Sequence, residues 1–190
     1  MCNDYSNKLD ITRIEELFGR PLGYPEGRPN LEPREDIRIT DRAPIIRAAE
    51  SGYELVQRRW SWPGPGGKPV YNFRSDGREF PSGRCLIVAD GFYEFTAHSD
   101  PRSKRKHKWR FTLSGEEWFG IAGLWRNAPD VGEAFTMLTT EPGPDIAPYH
   151  HRQVAVLAPS AFTRWLDPAV PARELLRPLP AGSLSVEQVC

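Results

Sequence analysis

The sequence predicts an α+β domain built on a curved, barrel-like, mainly antiparallel β-sheet flanked by short helices. Seven segments rich in β-branched and aromatic residues recur along the chain. Helical periodicity is confined to a few short stretches, and Gly- and Pro-rich punctuation separates the apolar segments. With 190 residues, 39% of them hydrophobic, the chain fits a single domain, 1–190, able to bury a core without staples.

The first element is a helix. Ile11, Ile14, Leu17 and Phe18 share one helical face, Asp10 is placed as the N-cap and Gly19 as the stop. From Arg20 to Pro44 the chain is rich in Pro, Gly and charge with little periodicity and reads as loop, as does Pro63-Gly64-Pro65-Gly66-Gly67. The predicted strands are Glu54 to Trp60, Arg84 to Ala89, Phe92 to Thr96, Lys108 to Leu113, Trp118 to Trp125, Ala134 to Thr139 and Gln153 to Leu157. Ser160 is expected to cap a late helix carrying Phe162, Trp165 and Leu166, ended by Pro168, and Ala172 to Leu176 adds a further turn.

Composition narrows the function classes. No apolar run approaches the roughly 18 residues that span a membrane, and the first residues lack the apolar core of a signal peptide, so a cytoplasmic protein is expected. Cys2, Cys85 and Cys190 form no C-x-x-C pair, which argues against both a disulfide framework and a zinc finger. Cys85 lies in an apolar run and reads as a buried strand residue. The four His lack metal-ligand spacing, so no metal and no cofactor are expected. Formal net charge is zero, so any nucleic-acid binding must come from a local basic face.

Cys2 stands directly behind Met1. Once Met1 is removed, a free α-amine and a thiol lie on adjacent carbons, a 1,2-aminothiol able to condense with an aldehyde to a five-membered thiazolidine. Asn72 and Arg74 are two apart and share a face if the segment is extended. Glu94, between Tyr93 and Phe95, is costly to bury unless paired or held with a raised pKa, the state that general acid–base chemistry uses. His150, His151 and Arg152 sit where a loop enters the last strand, and adjacent histidines in an extended segment would face opposite ways. The charged run from Arg102 to Arg110 reads either as a solvated hairpin tip or as a phosphate track with Trp109 for stacking.

Taken in order, Met1-Cys2, Asn72-x-Arg74, Arg84-Cys85-Leu86-Ile87-x-Ala89-Asp90-Gly91-Phe92-Tyr93-Glu94, Gly123-Leu124-Trp125, Thr139-Thr140 and His150-x-Arg152 closely resemble the SRAP family of SOS-response-associated peptidases, or abasic-site processing proteins. The likeness is strongest over 2–157, with 158–190 as a C-terminal helical or tail segment. It implies a protein of the DNA-damage response that recognises abasic sites in single-stranded DNA and forms a thiazolidine through Cys2 after Met1 is removed. It further implies a monomer, associated with the nucleoid when bound to DNA, with weak strand-cleaving lyase activity as a side branch and self-removal of Met1. By the same likeness Cys2 is the nucleophile, Asn72 orients it, Glu94 and His150 move protons, and Arg74, Arg152 and Trp60 contact DNA. His151 occupies a position the family fills differently, which favours His150.

The chain also departs from the family pattern. Cys2-Asn3-Asp4 replaces Cys-Gly-Arg, exchanging a DNA-facing cation for an acid, and weaker DNA affinity is the expected consequence. Trp60-Ser61-Trp62-Pro63 and Arg152-Gln153-Val154 also differ. Two other readings stay open on the residues alone: a self-processing cysteine peptidase or amidase using the same Cys2, Glu94 and His150, and a noncatalytic single-strand binding module in which Cys2 is idle.

Overall fold

The apolar strand segments pair into one closed barrel and one open sheet in the computed structural model, which describes residues 2–189. The first half of the chain forms β1 (Asp4–Asn7), α1 (Ile11–Phe18), β2 (Leu22–Gly23), β3 (Arg34–Arg38), β4 (Arg42–Ala49), β5 (Gly52–Trp60), β6 (Trp62–Pro63), β7 (Pro69–Val70), β8 (Asn72–Arg74), β9 (Arg84–Ala89) and β10 (Gly91–Ala97). The second half forms β11 (Lys106–Leu113), β12 (Phe119–Ala128), β13 (Gly132–Thr140), β14 (Gln153–Val154), β15 (Val156–Leu157), α2 (Phe162–Leu166), α3 (Ala172–Leu175) and β16 (Leu184–Gln188). Among the described residues, no helix is long and apolar enough to cross a membrane.

Strands β5, β4, β9, β12 and β13 are antiparallel neighbours in that order, and parallel pairing of β13 with β5 at Ala134–Arg59 and Phe135–Trp60 closes the ring. Closure satisfies the strand edges that an open sheet leaves bare. Side chains of one parity, Ile45, Ile87, Ile121, Phe135 and Met137, meet inside the barrel. Those of the other parity, Ile46, Leu86, Val88, Ala122 and Leu138, are covered outside by Ile14 and Phe18 of α1 and by Phe162 and Trp165 of α2. Both faces are therefore dry, which explains why β9 reads as an uninterrupted apolar run.

The open sheet has the order β16-β11-β10-β1-β3, antiparallel throughout. The chain crosses from barrel to sheet between β9 and β10 at Asp90, so β10 delivers Tyr93 and Glu94 beside β1 and the chain start.

Helix α1 matches its predicted limits: the Asp10 side chain accepts from the Arg13 backbone N–H at 2.8 Å, and Gly19 takes the left-handed conformation, φ 67°. Several strands escape the sequence patterns, β1, β3, β4 and β16 among them. β1 is polar and is a strand because β10 and β3 flank it. β3 and the first residues of β4 lie in the segment that reads as loop, and β4 tolerates Pro44 because β9 pairs only with residues 45–47, leaving the proline outside that ladder. β16 gives the C-terminal segment a strand on the edge of the open sheet. Ser160 is not the cap of α2: a 3-10 turn, Pro159–Ala161, precedes the helix, and Ala161 holds the N-cap with no side-chain bond.

Candidate active site around Cys2

Cys2 lies at the start of β1 with 1% of its surface exposed, packed in the same apolar cluster as Tyr5, Ile87 and Phe92. Its thiol donates to the Asp4 carbonyl at 3.2 Å and receives the Tyr93 backbone N–H. Burial pushes the thiol up from 9.0 to about 12, with the nearby Glu94 charge adding to the effect. The thiol is therefore protonated at neutral pH.

Two side chains hold the Cys2 backbone. The Asn72 amide, on β8, donates to the Cys2 carbonyl at 2.8 Å. Strand β8 is placed by parallel pairing with β13, Asn72 beside Met137 and Arg74 beside Thr139. Glu94, 1% exposed on β10, accepts the Cys2 backbone N–H. Burial raises its carboxyl from 4.5 to about 7, so it exchanges protons near neutral pH. The nitrogen that would become the free α-amine thus already lies beside a carboxyl group that exchanges protons near neutral pH.

His150 is placed in the turn before β14. Its Nδ1 lies 3.0 Å from both the Arg152 backbone N–H and the Arg152 carbonyl, so it accepts from the one or donates to the other according to the tautomer. Burial lowers its pKa below 6.5. Tyr149, the residue before it, packs on Trp109 at 4.8 Å between ring centroids, and Trp109 is the strand partner of Glu94. The adjacent histidines do not face opposite ways as an extended segment requires: the chain turns here, and the His150 and His151 rings stack at 4.4 Å.

Residues 1–190 match the family model described as SOS response associated peptidase (SRAP). The chain belongs to the SRAP family. It is 32% identical over 211 residues to the abasic site processing protein YoqW of Bacillus subtilis, covering 100% of this chain and 92% of that one. It is 31% identical over 128 residues to the abasic site processing protein HMCES of Gallus gallus, covering 56% of this chain and 38% of that longer protein. The SRAP fold recurs in a crystal structure of a protein from Bacteroides thetaiotaomicron, with TM-score 0.78 and 19% identity over 100% of this chain and 92% of the other. A protein from Bordetella bronchiseptica gives 0.75 and 26%, each chain covered in full.

The residues expected to contact DNA fall in different places. Arg74 is exposed at the end of β8. Arg152 is buried: its guanidinium forms a two-pronged pair with Asp76 at 3.0 and 2.7 Å and donates to the Thr139 carbonyl at 2.8 Å. It ties the His150 turn to the loop after β8, so in this SRAP chain it braces the two segments that carry His150 and Asn72. Trp60 requires a correction. It is 0% exposed, its indole N–H donates to the Tyr71 carbonyl at 2.9 Å and its ring meets Tyr5 edge-on at 5.3 Å, so it is a core residue with no face open to a base.

Asp4 also differs from its expected place. Instead of repelling DNA at the surface it is 5% exposed and paired with Lys108 at 2.7 Å, and Lys108 reaches Asp36 of β3 at 2.6 Å. Sequence reasoning missed this clamp, since the three residues lie on three strands and only the sheet order brings them together.

Proposed function

We propose that this protein processes abasic sites in single-stranded DNA by bonding to them through Cys2 once Met1 has been removed. The observation that carries the reading is the grip on the Cys2 backbone: its nitrogen lies at Glu94 and its carbonyl at Asn72. The names of the relatives point to the same lesion. A ring-opened abasic sugar offers an aldehyde. The α-amine adds to it, and the resulting carbinolamine loses water when Glu94 protonates the departing hydroxyl, leaving an imine. The thiol then adds to the imine carbon, its proton passes to the nitrogen, and the net reaction is aldehyde plus aminothiol to thiazolidine plus water. Asn72 orients the terminus and His150 supplies a neutral imidazole to relay the thiol proton.

The thiol's state favours this order over a cysteine hydrolase. A thiol raised to about 12 is no resting nucleophile for an amide, but it suits a second step in which the imine is already electrophilic. Elimination from the same imine would cut the strand, giving the weak lyase branch.

The test is intact-mass analysis of protein lacking Met1, incubated with single-stranded DNA bearing one abasic site. A heat-stable product at the summed masses less one water is expected, and Cys2→Ala and Cys2→Ser should not form it. An unimpaired adduct with Cys2→Ala overturns the mechanism, and turnover of amides without an adduct replaces it with hydrolysis.

A further inference from the structure

The pleat of β11 divides the charged run from Arg102 to Arg110 between two faces, and the residues before the strand form the hairpin tip. Lys108 and Arg110 point to one face and are engaged, Lys108 with Asp4 and Asp36, Arg110 with Asp90 at 3.7 Å and Glu187 at 3.5 Å. His107 and Trp109 share the opposite face with Thr96 and Glu94, their partners across the β10–β11 ladder. Lys104 and Arg105 precede the strand and Lys106 opens it on the face of Lys108; all three are exposed at the hairpin tip, and none of them has an ion pair with an acidic group among the described residues.

The face that carries Glu94 thus continues outward as a row of rings. Trp109 lies next to Tyr149, His107 lies 6.3 Å from Trp109 between centroids, and His98 stacks on His107 at 4.8 Å. Three rings of this row are pinned by hydrogen bonds: Trp109 donates to the Thr96 hydroxyl at 2.8 Å, His98 Nδ1 accepts the Asp100 N–H at 3.0 Å, and His107 Nδ1 lies 2.9 Å from the Gln188 amide. Pinned rings lose little conformational freedom when a ligand packs against them.

We propose that this face is the seat of the single strand on one side of the lesion, with bases packed against Trp109 and His107 and phosphates held by Lys104, Arg105 and Lys106. Aromatic rings beside cations match a single strand, whose bases are free to stack and whose backbone is anionic. A duplex fits less well because its bases are already stacked on one another. The chain has no net charge, so three cations without acidic partners at the end of a row that starts at Glu94 are a local feature. The proposal rests on the abasic-site reading only for the position of the lesion, since binding of the strand itself is measurable on undamaged DNA.

The experiment uses the full chain, with Lys104→Gln, Arg105→Gln and Lys106→Gln combined in one exposed and foldable variant, and Trp109→Leu and His107→Ala as ring variants. Fluorescence anisotropy with an undamaged single-stranded oligonucleotide should show the cation variant binding more weakly. The slope of log affinity against log salt should fall by about 2, since each phosphate that a cation neutralises on a single strand adds about 0.7 to it. Each ring variant should weaken binding about tenfold with little change in that slope. Adduct formation with abasic oligonucleotides flanked on the 5′ or the 3′ side alone should be impaired in the variants for one flank and not the other.

An unchanged salt slope in the cation variant, an equal loss on duplex DNA, or equal effects on both flanks overturns the proposal. A wild-type protein that forms no adduct but loses single-strand affinity in these variants overturns the abasic-site reading and leaves the strand surface standing. If Trp109→Leu does not fold, His107→Ala and the cation variant decide the outcome.

Discussion

Burial sets the protonation state of the groups around Cys2. Withholding water raises the Glu94 carboxyl to about 7 and the Cys2 thiol to about 12, and it lowers His150. Glu94→Gln keeps the shape of the side chain but cannot exchange a proton. Adduct formation should slow by about 10²-fold or more, and the limb of the pH–rate profile near pH 7 should vanish, as quenched-flow assays with an abasic oligonucleotide would show. Stability should move the other way. A folded pKa above the unfolded one means that the folded state holds the proton more tightly, so this contribution is full below about 4.5 and is lost as pH rises through about 7. Glu94→Gln should therefore be more stable than wild type at pH 8, by on the order of 2 kcal/mol, and equal to it at pH 4 in urea unfolding. The special place of Glu94 is legible in the sequence because a carboxylate between aromatic residues in a strand is costly unless its chemistry is used. The roles of Trp60 and Arg152 are not, since neither Trp nor Arg declares from its neighbours in sequence whether it faces water or a buried partner.

Strand β1 brings Cys2 to this site, and its own residues are too polar to hold it there by apolar burial alone. Tyr5 packs inward, but Asp4 is buried as a carboxylate whose pKa is raised by burial to about 6 while Lys108 pulls it down. Lys108 joins β11 to β1 and β3 and lies 3.8 Å over the Tyr93 ring. Lys108→Met should cost about 3 kcal/mol at pH 8, because it strands a buried charge. The loss should shrink as pH falls toward about 6, because Asp4 without Lys108 takes up its proton at a higher pH than in the wild type. Adding Asp4→Asn should recover most of the stability, which denaturant titration of the single and double variants would measure. The same elements show where sequence patterns reach. Helix α1, with its cap, its apolar face and its glycine stop, is encoded within ten consecutive residues, so its limits follow from the sequence. β1, β3 and β16 lack a pattern of their own and become strands through the neighbours that pair with them.

At the scale of the whole molecule, the barrel fixes where β8, β10 and the His150 turn meet. Trp60 stands at the closing seam, where β5 pairs with β13. Trp60→Ala should cost about 3–5 kcal/mol of stability. Trp60→Phe, which keeps a ring in the core but loses the bond to Tyr71, should lower the melting temperature while leaving the rate of adduct formation per folded molecule unchanged. A selective loss of DNA binding in Trp60→Phe would return this residue to the surface role expected from the family likeness. The sequence by itself determined the fold class, the family, helix α1 and most of the barrel strands, and it singled out Cys2, Asn72, Glu94 and His150 as candidates, because strand alternation, helix caps and ordered motifs are local in the chain. Only the tertiary structure decided that Asp4 is clamped by Lys108, that Arg152 braces the His150 turn, that Trp60 is sealed in the core and that the basic run splits between two faces. Each of those depends on which strands become neighbours, and closing a barrel joins residues that are far apart in sequence.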